Sequence, residues 1–159
     1  MQKENFWSRL KKEEKIKTVE PSEEVKESYL RKSESNLSAS KLLLDNNFLE
    51  EAVTSAYYSM YNLVLALLFK TGIKSENHTA SIIFLKDIYS RENTLILNAK
   101  RERIDKQYYV DFKITREDVT TLIKDAEEFN SYMLDFISKI SNNEMQEARK
   151  KFKQVLDKY

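Results

Sequence analysis

One glycine and one proline in 159 residues leave this chain few ways to turn tightly. Sandwiches, barrels and Rossmann-type sheets use glycine where the backbone turns left-handed or approaches closely, and Gly72 alone is available for that here. Long helices with short connections need few such residues. The chain is therefore expected to be all-α, with no strand longer than an incidental bridge. Its 41% hydrophobic and 33% charged residues compose a globular domain, and its length suits one.

The hydrophobic spacing divides the chain. Residues 1–20 are dense in Lys and Glu and read as an N-terminal arm or short helix, with Phe6 and Trp7 to pin it down. A bundle is expected over residues 21–142. Pro21-Ser22-Glu23-Glu24 opens it: Ser22 can accept first-turn N–H groups, and the two acids suit the positive helix end. From there to about Asp45, Val25, Tyr29, Ser33, Leu37, Ser40 and Leu44 recur at helical spacing, with small residues that allow close helix approach. After an Asn46-Asn47 turn, residues 48–70 are apolar nearly all round, as a central helix must be. Gly72 suits the left-handed cap of that helix. A third helix is expected from about Ser75, a fourth within 93–108, and an extended stretch over Tyr108–Phe112. Thr115-Arg116-Glu117-Asp118 resembles a capping box and leads into the cleanest stripe, Val119 to Ile140. Residues 143–159 read as a basic C-terminal helix or tail.

Much chemistry is excluded by residue type. Without cysteine there is no disulfide scaffold, thiolate metal site or cysteine nucleophile. One glycine cannot build a phosphate loop, and one histidine cannot form a His-x-x-x-His pair. No metal and no cofactor are expected. A net charge of +1 supplies no global pull on nucleic acid, so any RNA contact must be local. The N-terminus lacks an apolar run of signal-peptide length, and the most apolar stretch, Tyr57 to Phe69, falls short of the roughly 20 residues a bilayer span needs. No membrane partner and a cytoplasmic location are expected.

Three places carry candidate chemistry. His78 is the one side chain whose ordinary pKa lies near neutrality, and it opens the third helix as a candidate phosphate contact or general acid/base. The segment Lys100 to Tyr109 is rich in Arg and Tyr. Arginine forks grip phosphate and aromatic rings stack on bases. Tyr57-Tyr58-Ser59-Met60-Tyr61 sets tyrosines in a buried helix, where hydroxyls need partners or a cleft to face.

At these residues the chain resembles the HEPN superfamily. The run Asn46 to Val53 followed by Ala56-Tyr57-Tyr58-Ser59-Met60-Tyr61 is similar to that family's central helix. Gly72-Ile73-Lys74 with His78 matches its Gly-Ile and the His that opens its third helix. Arg103 to Phe112 and the cap at Thr115 resemble the archaeal branch, and the likeness spans roughly residues 22–142. The resemblance implies a bundle of four to five main helices, similar to nucleotidyltransferase substrate-binding subunits, with short extra helices at both ends. It implies a homodimer associated with nucleotide or RNA, acting beside a minimal nucleotidyltransferase in a toxin–antitoxin-like module. Active relatives are metal-independent endoribonucleases with an Arg followed by a His a few residues later. Here Arg103 stands in the Arg position with Arg101 close by, and Tyr108 takes the place of the His.

Three readings follow. The first is a binding module whose cleft is lined by Arg101, Arg103, Tyr108, His78 and Tyr57. The second is an atypical endoribonuclease with Arg103 and Tyr108 as catalytic groups. The third is an interaction scaffold without a nucleotide site. Convergence of Arg103 and Tyr108 requires the helix to end near Gln107, because five residues on a continuous helix lie about 140° apart.

Overall fold

The computed structural model describes residues 5–108 and 113–159, and the side chains of all of these except 105–108. Among the described residues the elements run α1 (Phe6–Lys12), β1 (Ile16–Thr18), α2 (Glu23–Asp45), α3 (Leu49–Thr71), β2 (Ile73–Ser75), α4 (His78–Asp87), α5 (Thr94–Tyr108), α6 (Arg116–Lys139) and α7 (Asn142–Lys158). The fold is all-α, and its one sheet is a ribbon of two three-residue strands.

α1, α2, α4, α6 and α7 each begin where a side chain accepts from the first open N–H groups, whereas α3 starts behind Phe48 with no side-chain cap. Val25 N–H donates to Ser22 Oγ (3.1 Å) at the start of α2. Thr115 and Asp118 form a reciprocal capping box on α6, and Ser141 and Glu144 form another on α7. Such caps are worth about 1 kcal/mol each. The α2–α3 turn places Asn47 at φ 62°, a left-handed conformation asparagine tolerates.

α2 and α3 pack as an antiparallel hairpin, with α6 against both and α5 alongside α3 and α6. α3 is buried almost all round. Tyr57, Met60, Leu63, Leu67 and Leu68 are fully covered, and each such side chain contributes about 1.5–3 kcal/mol of burial. α3 matches the helix expected over 48–70; its full 23 residues, unlike the Tyr57–Phe69 run within them, are long and apolar enough to cross a membrane, yet most of that window is buried inside the protein. A polar thread ties the three central helices. Ser33 Oγ on α2 donates to Ser59 O (2.6 Å), and Asn130 Nδ2 on α6 donates to Ser59 Oγ (3.2 Å). Shifting any of these helices by one residue breaks the thread.

The segment after α3 departs from the expected helix start near Ser75. Gly72 ends α3 at φ 79°, and a Cβ there would lie 2.7 Å from the Val19 carbonyl oxygen. This close approach lets Val19 N–H donate to Gly72 O (2.9 Å) and sets β1 antiparallel to β2, with Ile16 opposite Ser75 and Thr18 opposite Ile73. The ribbon takes up residues 73–75. α4 starts three residues later, where Asn77 Oδ1 accepts from Ala80 N–H (2.9 Å). His78 is thereby fixed as the first residue of α4.

The terminal segments meet on the outside of α4. Trp7 stacks on Phe84 with centroids 5.4 Å apart, and Phe152 meets Phe84 edge-on at 5.4 Å. Lys11 Nζ donates to Leu156 O (2.6 Å), joining α1 to α7. The C-terminal segment is a 17-residue capped helix that buries Ala148 and Phe152.

Candidate functional site

Three helices converge at one end of the tyrosine run. Tyr57 and Tyr61 are one helical turn apart on α3 and so share a face, with Tyr58 beside them. Opposite stands His78. Its Nδ1 lies 2.7 Å from the Tyr57 hydroxyl, and its ring lies on the Tyr61 ring at 3.9 Å and 15°. The Tyr61 hydroxyl reaches Ser81 Oγ (3.2 Å), so both buried phenols have partners.

α5 brings the positive charge. Ile96 and Ala99 bury one side of this helix, and Lys100 and Arg103 project from the same side, three residues apart. The Arg103 guanidinium lies 5.2 Å from the Tyr57 ring centre and 5.1 Å from that of Tyr58, within cation–π range. Its Nε is buried and has no hydrogen-bond partner. Lys100 Nζ donates to Thr79 Oγ1 (2.6 Å) in the first turn of α4. Among the described residues, no carboxylate is paired with either cation.

This environment fixes the charge states. Burial, reinforced by Arg103 and then Lys100, lowers the His78 pKa from 6.5 to about 4, so the ring is neutral at pH 7. Burial raises the Tyr57 hydroxyl well above its usual range, with Tyr61 adding to the effect and Arg103 opposing it. Burial also lifts Tyr61 to about 12 against its hydrogen bond to Ser81. Lys100 is lowered, first by burial and then by Arg103. The result is two cations, a neutral imidazole and tyrosine faces: a chemistry for holding an anion beside an aromatic group. A histidine titrating this far below neutrality is poorly matched to general acid–base work at pH 7.

Of the residues singled out from the sequence, Arg103, His78 and Tyr57 come together here. Arg101 does not. Two residues from Arg103, it points away by about 160° and lines a separate cavity of about 440 Å³ between α5 and α6, with Asn98, Glu102, Asp118 and Asp125. α5 is described to Tyr108, one residue from the helix end expected near Gln107. The Tyr108 side chain, and with it the expected pairing of Arg103 and Tyr108, lies outside the described residues, as does the stretch 109–112. The structure adds Tyr58, Tyr61, Thr79 and Lys100. Of these, Tyr58 and Tyr61 lie in the tyrosine run and Lys100 in the Lys100–Tyr109 segment already singled out from the sequence, and only Thr79 lies outside both.

A helical bundle with this central tyrosine helix and a histidine opening the next helix defines a class, and comparison agrees with it. The HEPN domain model matches residues 26–140, and the chain belongs to that family. Its relatives include a Methanocaldococcus jannaschii protein named "Putative toxin MJ0605", 30% identical over 107 residues, which cover 61% of this chain and 77% of the relative. A Pyrococcus horikoshii protein named "UPF0332 protein PH1297" is 40% identical over 60 residues, or 38% of this chain and 42% of that one. α1, β1 and the whole of α7 lie beyond the family match.

Proposed function

We propose that this chain is a nucleotide- or RNA-binding HEPN protein, working as a cytoplasmic homodimer beside a minimal nucleotidyltransferase in a toxin–antitoxin-like module. The observation that carries the binding reading is the convergence of Arg103, Lys100, His78 and Tyr57 with no paired carboxylate among the described residues. Two cations on one helix face repel each other, and an anionic ligand relieves that repulsion. The toxin name of the M. jannaschii relative supports the module, and the family resemblance supports the partner and the dimer.

The endoribonuclease reading stands second, because an Arg and a His share this cluster although they lie on different helices. Its weakness is the low His78 pKa. Binding and cleavage of a labelled RNA by wild type, Arg103→Ala and Tyr108→Phe separate the readings. Binding lost in Arg103→Ala, with no cleavage by any form, is the expected result. Cleavage by wild type that vanishes in both variants makes the protein a ribonuclease. Binding unchanged in both removes the site. Light scattering at micromolar concentration tests the homodimer, and a monomer mass there refutes it.

A further inference from the structure

We propose that Tyr57 is a positioning residue that holds His78 as its Nε2–H tautomer, and that this N–H joins Arg103 and Lys100 in gripping a single phosphate group. The proposal deepens the binding reading above and rests on it for the ligand that carries the phosphate.

The argument is one of donors and acceptors. The Tyr57 side chain is fully buried, so its one hydroxyl proton needs an acceptor. Around it lie His78 Nδ1 at 2.7 Å, the Arg103 guanidinium, and the rings of Tyr58 and Tyr61. A guanidinium has donors only, and the Tyr61 hydroxyl is engaged with Ser81. Nδ1 is therefore the acceptor. A tautomer with its proton on Nδ1 would set two donors against each other and strand the phenol proton. With Nδ1 accepting, the neutral ring carries its proton on Nε2. Nε2 makes no hydrogen bond within the described residues and is not among the buried unpartnered atoms, so its N–H is available to a ligand.

The surrounding groups say which ligand. Tyr57, Tyr58, Tyr61, Lys100 and Arg103 surround His78, and none of them carries a carboxylate. Arg103 keeps a buried Nε without an acceptor, and Lys100 lies close enough to be depressed by Arg103. A tetrahedral phosphate offers several acceptor oxygens and the negative charge that both cations lack.

The chain holds one histidine, so the two ring nitrogens of His78 give an unambiguous NMR signature in full-length ¹⁵N-labelled protein. At pH 7 long-range ¹H–¹⁵N correlation is expected to show Nε2 protonated and Nδ1 bare. Inorganic phosphate, and separately a short RNA oligonucleotide, are expected to shift Nε2. His78→Gln places an N–H near the Nε2 position and is expected to keep phosphate affinity. His78→Asn places it near Nδ1 and is expected to lose about 10- to 100-fold, the worth of a hydrogen bond to a charged partner. Tyr57→Phe is expected to mix the tautomers and fall between them, with circular dichroism confirming that each variant folds. A proton on Nδ1 in the wild type overturns the proposal. So does an Nε2 signal that neither probe moves, or equal loss in the Gln and Asn variants. An Nε2 shift with inorganic phosphate alone upholds the phosphate grip and refutes the RNA reading.

Discussion

Acidification from pH 7 to pH 5 should weaken the fold through His78. The unfolded imidazole titrates near 6.5 and the folded one at about 4. Between these values the unfolded chain binds a proton that the folded chain refuses. Stability is therefore complete above pH 6.5 and declines as pH falls through the window down to about 4, with a limiting slope of about 1.4 kcal/mol per pH unit. Integration from pH 7 to 5 gives about 2 kcal/mol, and allowing for partial solvent access of the ring leaves about 1–2 kcal/mol. The cause is local: the ring is buried, an imidazolium would sit beside Arg103 and Lys100, and its Nδ1–H would oppose the Tyr57 proton. The acids with lowered pKa, Glu13, Glu23, Glu76 and Glu144, titrate below 4.5 and so act mainly beneath this interval. Urea unfolding at pH 7 and pH 5 should therefore show a midpoint lower by about 0.5–1 M at pH 5, for a slope of about 2 kcal/mol per M. His78→Gln should remove most of that difference. If wild type and His78→Gln lose the same stability between the two pH values, the site does not hold His78 in its neutral form.

The two arginines of α5 should separate in the same NMR titration. Arg103→Ala should raise the His78 pKa toward 6.5 by removing the largest charge acting on it, while Arg101→Ala, facing the other cavity, should leave it in place. Gly72→Ala should cost about 2–4 kcal/mol in urea unfolding, from the left-handed backbone and the displaced Val19 carbonyl; a loss under about 0.5 kcal/mol would mean that the turn relaxes freely. Thr115→Ala should cost about 1 kcal/mol by removing the α6 capping box, with little effect on phosphate binding.

The fold was legible because its signals are local. Ser22, Thr115 and Gly72 mark helix ends by chemistry that depends on a few neighbouring residues, and the structure uses all three in those roles. The stripe from Val119 to Ile137 is the buried face of α6. What escaped depends on partners distant in sequence. Residues 73–75 read as the run-up to a helix, and they pair instead with Ile16–Thr18, more than fifty residues earlier. The capping box Ser141–Glu144 was present to be read, but residues 143–159 left helix and tail open because the anchor of the segment, Phe152, finds Phe84 only in the folded chain.

The site was half legible for a related reason. A spacing signature along one helix is a proxy for convergence in space, and α5 shows how the proxy fails. Positions 97, 101, 104 and 108 share one side of this helix, while 96, 99, 100 and 103 share the other. Leu97 and Ile104 on the first side are exposed, and Ile96 and Ala99 on the second are buried against the bundle. Arg103 therefore turns inward to the tyrosines of α3, and Arg101 turns to the α5–α6 cavity. The pairing of positions 103 and 108 turns on the Tyr108 side chain, which lies outside the described residues. The histidine that meets Arg103 comes from α4 instead, carried there by Gly72, the β1–β2 ribbon and the Asn77 cap. No spacing along α5 encodes that contact. It follows from two lengths: β2 sets where α4 begins, and one turn of α3 separates the phenols that receive His78. Inserting one residue between Gly72 and Asn77 would therefore shift His78 off Tyr57 while leaving every α5 residue in place.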